Sequence, residues 1–491
     1  MKKIFDTVLN TRPRMSSFDL SHEKKLSTKM GQLTPILIEE VVPGDQFKGR
    51  TETMIRMAPM IAPVMHRVNT FVHYFFVPNR ILWNQWEDFM SGGREGTTKP
   101  VMPTVTLSGA VRAEGTLADY LGLPSVTGNV SVNKLPFQAY QQIYNDYYRD
   151  PNLTDPIDID GTASVISSLR QRAWEKDYFT SALPWPQRGP DVSLNADITE
   201  NKPSILRKAS DDTPIAFSTG LNTRALGEVE DAATNELAYI DGAEDVQFTI
   251  NELRNSSALQ RWLEKNARGG YRYIEQILAH FGVKSSDKRL QRAEYLGGGQ
   301  SPMVISEVLN TSATASEPQG GMAGHGIGTS SGNSFKPYSV EEHGYIIGIM
   351  SVLPRTAYQQ GVPRHWNRSD STDYYWPAFA NLGEQEVLNK ELYMDPSDTD
   401  YSEGTFGYQQ RYAEYKYACD TVHGDFKDSL DFWHMGRILS SQPALNASFV
   451  ESDPTDRIFA VNDGKDTLWC QVYNSIQARR PMPYHAMPSL K

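Results

Sequence analysis

The sequence predicts a mainly-β fold, an antiparallel sandwich with large, partly helical loop insertions, and three observations carry that reading. Residues 69–77 and 345–353 are apolar on both faces at strand length. Strand segments never alternate with helices of ten or more residues, which disfavours a parallel α/β sheet. The helical stripes that do occur are short and sit between strands, as insertions do.

Taken in order, residues 1–30 carry Lys2, Lys3, Arg12, Arg14, Lys24, Lys25 and Lys29 against Asp6, Asp19 and Glu23. With few apolar side chains to bury, they are expected to form a basic arm ordered only by contact. The first strand is expected at 35–42 and stops at Pro43-Gly44-Asp45, a turn by composition. In 51–58, Thr53, Ile55 and Met57 alternate with Glu52 and Arg56, the period-2 pattern of a strand with one wet face. Residues 69–77 are β-branched and aromatic and end at Pro78. Apolar on both faces, they require cover from a second sheet or a neighbour on each.

Three helices are expected. Residues 81–89 hold Leu82, Trp83, Trp86 and Phe89 at three- and four-residue spacing, and 137–148 stack Phe137, Tyr140, Ile143, Tyr144 and Tyr147. Residues 273–281 group Ile274, Ile277, Leu278 and Phe281 before Gly282, a left-handed terminator. Between the last two lies 190–250, with twelve acidic residues against four basic ones and weak periodicity. It contributes −8 of the net −11 and reads as a solvent-facing excursion. Strands follow at 303–309, 345–353, 456–461 and 467–476, with a flexible glycine-rich stretch at 320–333. In 467–476, Leu468, Cys470, Val472 and Ile476 share one face. A basic, proline-stiffened tail, 477–491, leaves this last strand and contains Arg479 and Arg480.

Chemistry is hard to place. Gly324-His-Gly-Ile-Gly328 leads into a strand, whereas a phosphate loop must open a helix so that its N–H groups converge. No His-Glu-x-x-His occurs, and neither metal nor catalytic residues are assigned. Two cysteines, Cys419 and Cys470, are too few for a disulfide framework and read as ordinary thiols. The charged start Met1-Lys-Lys-Ile-Phe is followed by Asp6, Asn10, Arg12 and Arg14, which break any apolar signal core. The net charge of −11 excludes a whole-surface nucleic-acid binder and leaves local basic segments as the candidates. Dense aromatic runs, Asp373-Tyr-Tyr-Trp-Pro377 and Phe406-Gly-Tyr-Gln-Gln-Arg-Tyr-Ala-Glu-Tyr415, offer subunit contacts or base-stacking surfaces.

Many ordered motifs carry a resemblance. They include Val42-Pro-Gly-Asp45, Ala58-Pro-Met-Ile-Ala-Pro-Val-Met65, Tyr74-Phe-Phe-Val-Pro-Asn-Arg80 and Trp83-Asn-Gln-Trp86. Leu183-Pro-Trp-Pro186, Ala267-Arg-Gly-Gly270, Tyr295-Leu-Gly-Gly-Gly299, Tyr374-Tyr-Trp-Pro377 and Gly383-Glu-Gln-Glu-Val-Leu-Asn389 follow. Ala478-Arg-Arg-Pro-Met-Pro483 closes the series. Together these resemble the major capsid proteins of the Microviridae, small icosahedral single-stranded DNA phages, and most closely the gokushovirus-like branch.

The resemblance implies an eight-stranded antiparallel viral jelly roll over 31–491, with insertions at about 80–300. It implies a T=1 shell of about 60 copies around a circular single-stranded DNA genome, assembled in the host cytoplasm and found in the virion. Its partners would be other copies, the genome, a small DNA-binding protein, a pilot or minor protein, and a host cell-surface receptor. No cofactor is implied. The genome-facing candidates are Lys2, Lys3, Arg12, Arg14, Lys24, Lys25, Arg479 and Arg480. The subunit-interface candidates are Trp83, Trp86, Tyr374, Tyr375, Trp376, Tyr408, Arg411, Tyr412 and Tyr415. Asp211, Asp212, Glu228, Glu230 and Asp231 are the host-facing candidates, on an exposed acidic part that the resemblance sets near a threefold protrusion. A β-sandwich carbohydrate-binding or carbohydrate-active protein, using Trp and Tyr as sugar platforms, is the alternative.

Overall fold

The computed structural model describes residues 14–93, 97, 100–190, 250–270, 273–284, 286–311, 319–461 and 463–485, together with the backbone of strands Ile205–Lys208 and Ala238–Asp241. The chain divides into two compact units, one of Gln187–Asn266 and one of Met1–Pro186 with Ala267–Lys491. In the smaller unit the two short strands pair antiparallel.

Among the described residues the larger unit holds a ten-stranded sheet. Its strands are β1 (Ser16–Asp19), β2 (His22–Thr28), β3 (Thr34–Val41), β4 (Gln46–Met57) and β5 (Val68–Pro78). They continue with β6 (Glu294–Pro302), β7 (Val304–Leu309), β8 (Met322–Ser339), β9 (Gly344–Pro354) and β10 (Leu468–Arg480). The order is β1-β10-β4-β8-β6-β5-β9-β3, with β2 also on β10 and β7 on β8. Every ladder is antiparallel. The link between β6 and β8 is a single pair, Gly297 with Phe335, so the sheet is two halves joined at a seam.

Alternation explains how the halves meet. In β4, Phe47, Ile55 and Met57 point inward, and in β10 so do Leu468, Cys470, Val472 and Ile476. They share one core with Val72, Tyr74 and Phe76 of β5 and with Ile346 and Met350 of β9. Tyr74 is fully enclosed, donates its hydroxyl to Thr51 and packs its ring 5.0 Å from Phe335. Phe335 lies where a side chain at position 49 would stand: a Cβ on Gly49 would come within 2.2 Å of its ring.

The opposite face of the β5–β9 half is covered by helix. Phe75, Val77, Tyr345, Ile347 and Ile349 form a second core with Phe137, Tyr140 and Ile143 of α1 (Leu135–Ile143) and with Tyr144. Tyr140 fastens the layer, donating to the Leu33 carbonyl at 2.8 Å and accepting the Arg170 N–H at 3.1 Å. Thus β5 and β9 are apolar on both faces because a sheet covers one and helices cover the other. Each fully buried aromatic there contributes about 2–3 kcal/mol of transfer free energy.

Several segments differ from expectation. Residues 16–28 are not a loose arm: β1 and β2 pair with β10, and an edge backbone supplies hydrogen bonds that composition does not advertise. The stretch 320–333 lies largely in β8. Its glycines at 324, 326 and 328 share one face, where a Cβ would strike the Ala62 carbonyl at 2.3 Å or the Met57 sulfur at 2.5 Å. Residues 456–461 make a turn with an isolated bridge from Phe459 to Met60 rather than a strand. Residues 81–89 break into Asn79–Leu82 and Trp86–Ser91. A twenty-residue helix, α2 (Ile250–Gly269), follows the acidic segment and precedes the anticipated α3 (Tyr273–Phe281).

His73 of β5 gives the fold an acid-labile point. Its Nδ1 lies 2.8 Å from the Tyr148 hydroxyl. Burial, aided by Arg172, pushes its pKa down to about 4 from an ordinary 6.5. The unfolded chain therefore binds this proton more readily, so the stabilisation is complete above about pH 6.5 and is lost as pH falls toward 4. The full difference is at most about 3 kcal/mol. A His73→Gln variant is expected to lose less stability than the parent when urea unfolding is compared at pH 7 and pH 4. Parallel losses in the two proteins would refute this.

Candidate nucleic-acid interface

The half β2-β10-β4-β8 has an open outer face. On β10, Trp469, Gln471, Tyr473, Gln477 and Arg479 alternate outward from the core positions, and on β4 Lys48, Arg50, Met54 and Arg56 do the same. Ladder register sets them in rows. Trp469 stands between Arg56 and Ser27; Gln471 between Met54 and Lys25; Gln477 between Lys48 and Asp19; and Arg479 beside Ser17. Trp469 is 50% exposed and Tyr473 38%. Lys25, Met54, Arg56, Trp469 and Gln471 frame a shallow depression.

Five cations on this face, Lys25, Lys48, Arg50, Arg56 and Arg479, outnumber Asp19, Glu23 and Glu52. Arg50 is paired with Glu52, and Lys25 is 3.7 Å from Glu23. Lys48, Arg56 and Arg479 have no carboxylate among the described residues in ion-pair range, and all three are exposed. Cations on a flat surface with interleaved rings can meet phosphates without reading sequence and stack unpaired bases.

Of the residues singled out in the sequence, Lys25 and Arg479 lie on this face, and Arg14 is exposed just before β1. Lys24 and Arg480 do not, because each neighbours one that does and a strand turns successive side chains to opposite sides. Lys24 donates to the Pro35 carbonyl at 3.1 Å and to the Tyr120 carbonyl, and burial pushes its pKa down to about 8 despite the pull of Asp119. Arg480 donates to the Glu40 carbonyl at 2.7 Å, sits 3.5 Å from the enclosed Asp45 carboxylate and lies over Phe47. Lys2, Lys3 and Arg12, and the acidic candidates Asp211, Asp212, Glu228, Glu230 and Asp231, lie outside the described residues. Lys48, Arg50, Trp469 and Tyr473 were not singled out, although their period-2 placement opposite the apolar positions was readable.

The nine aromatic and arginine candidates for subunit contact split similarly. Tyr412 is buried in a left-handed conformation, its N–H held by Gln385. Trp83, Trp86, Tyr408 and Arg411 are half-buried, the first two packing around Phe89. Tyr374, Tyr375, Trp376 and Tyr415 are each at least half exposed and share one surface, with Arg368 over the Tyr374 and Tyr415 rings. Cys419 and Cys470 are unbridged, and burial pushes both thiols up to about 12, which keeps them unreactive.

Comparison with known proteins gives these surfaces their setting. The family model for "Capsid protein (F protein)" matches residues 7–490. The chain is 34% identical to capsid protein VP1 of Chlamydia phage 1, over 100% of this chain and 98% of the relative. Capsid protein VP1 of Bdellovibrio phage phiMH2K is 36% identical over 93% and 92%, and that of Spiroplasma virus 4 is 30% identical over 98% and 96%. With a mainly antiparallel curled sheet, a near full-length family match and relatives aligned end to end, this chain belongs to the capsid protein (F protein) family of Microviridae phages and is a structural capsid protein.

Proposed function

We propose that copies of this chain close into a T=1 icosahedral shell whose inner lining is the open face of β2-β10-β4-β8, set against a circular single-stranded DNA genome. The asymmetry between the two halves carries the reading: one outer face is open, basic and dotted with rings, whereas the other is covered by helix and apolar packing. The protomer is an eight-stranded jelly roll. Omitting the short β1 and β7, one half takes the first, eighth, third and sixth strands in chain order and the other takes the second, seventh, fourth and fifth. Two interleaved Greek keys produce that order. The role is structural, without a catalytic step.

The exposed surface of Tyr374, Tyr375, Trp376 and Tyr415 meets a neighbouring copy, where rings bury large area at low entropic cost. Other virion proteins, a small DNA-binding protein and a pilot protein among them, complete the particle. Density from purified particles should place Trp469, Arg56 and Arg479 on the luminal surface. A lumen lined by the helical layer instead would refute the orientation.

The acidic 190–250 segment takes part in host-surface attachment, away from the genome. All of it falls in the separately compact Gln187–Asn266 unit, which supports its being removable. Deleting 195–245 should leave particle assembly intact by sedimentation while lowering adsorption to cells at least ten-fold. A deletion that yields no particles would instead make the segment an assembly element.

A further inference from the structure

On the helix-covered side of the β5–β6 ladder lies a cavity of about 660 Å³ that the lining of the shell does not use. Its floor is aromatic. Phe75 packs 4.8 Å from Tyr147 and 5.5 Å from Tyr295, and the Tyr295 ring remains 47% exposed. Its walls carry Arg149, Arg172, Lys176, Lys284 and Arg292 against Asp150, Glu275 and Asp287. Lys176 is paired with Asp150, and Arg292 with Asp146 and Asp287.

Arg149 donates its Nη1 to the Thr154 carbonyl at 2.5 Å, which leaves Arg172 and Lys284. Arg172 lies with its guanidinium carbon 3.8 Å from the Phe71 ring centre, and its Nη1 donates to the Ser351 hydroxyl at 2.9 Å. No carboxylate among the described residues is in ion-pair range of it, nor of the exposed Lys284 on the rim. Ring and hydroxyl fix the guanidinium, so little conformational freedom remains to be lost when its other donors take an anion. A fixed fork matches the paired oxygens of a phosphate, while Lys284 acts as a point charge.

We propose that this cavity binds a phosphomonoester carried on a ring, the phosphate taken by Arg172 and Lys284 and the ring laid on Tyr295. Nucleotides and sugar phosphates share that chemistry. The site stands independently of the genome-facing surface, since none of its residues lies on the open half of the sheet.

Equilibrium dialysis on purified particles tests it, with deoxyadenosine monophosphate, glucose 6-phosphate and inorganic phosphate as probes and deoxyadenosine as the neutral control. One or both ring phosphates should bind once per chain and at least ten-fold more tightly than inorganic phosphate. Stronger retention of the nucleotide or of the sugar phosphate identifies the source. Arg172→Met should weaken binding at least ten-fold. Lys284→Gln, which alters only an exposed side chain, should weaken it about three-fold and serves alone if the first variant does not assemble. Equal retention of deoxyadenosine, or binding unchanged in Lys284→Gln and in any assembled Arg172→Met, would overturn the site.

Discussion

Replacing Lys48, Arg56 and Arg479 together by glutamine is expected to lower affinity for single-stranded DNA about 100-fold at 0.1 M salt. The size follows from counterion release. Each phosphate neutralised on a single strand contributes about 0.7 to the slope of log affinity against log salt, so removing three contacts should flatten that slope by about 2. These three were chosen because no carboxylate among the described residues is in ion-pair range of them, whereas Arg50 already faces Glu52. All three are exposed on strands whose other faces are packed, so thermal stability should be unchanged within about 0.5 kcal/mol. A filter-binding series across salt, together with the DNA content of particles, measures both consequences. An unchanged slope would show that the genome meets some other surface, even if particles still form.

How legible this was in the sequence depends on which interactions each segment makes. Strands β5 and β9 announced themselves because burial on both faces leaves a continuous apolar run, and the inward set Leu468, Cys470, Val472 and Ile476 was visible as a period of two. Residues 16–28 misled, because β1 and β2 are edge strands held by backbone pairing to β10, and backbone bonds leave little trace in composition. Glycines 324, 326 and 328 suggested flexibility, yet their spacing marks a strand face pressed on the Met57 and Ala62 region. The break between Asn79–Leu82 and Trp86–Ser91 is equally hidden, since a three-four spacing survives an interruption that keeps the same side packed. The cations of the open face were half visible. Charge was read as a property of segments, but in a strand it belongs to alternate residues, which is why Lys24 and Arg480 dropped out and Lys48 and Arg50 came in.

Arg479 and Arg480 put that alternation to its sharpest test. Arg480→Met removes the cation nearest the Asp45 carboxylate, whose side chain is wholly enclosed and whose Oδ1 has no hydrogen-bond partner among the described residues. Oδ2 would keep only the Val42 N–H at 3.0 Å. Stranding a buried carboxylate costs several kcal/mol, and because Arg480 is 18% exposed the loss should be about 2–3 kcal/mol in urea unfolding at pH 7. Burial already raises the Asp45 pKa, with Arg480 opposing, so the variant's carboxyl should rise further. A carboxyl raised in the folded state is less costly once protonated, so the deficit should shrink as pH falls from 7 to 5. Adding Asp45→Asn, which cannot ionise, should recover part of the loss. Arg479→Met, one residue earlier on the open face, should leave stability within about 0.5 kcal/mol and weaken DNA binding instead. Equal stability losses in the two single variants, or a deficit that grows on acidification, would mean that the strand does not divide these neighbours between core and surface.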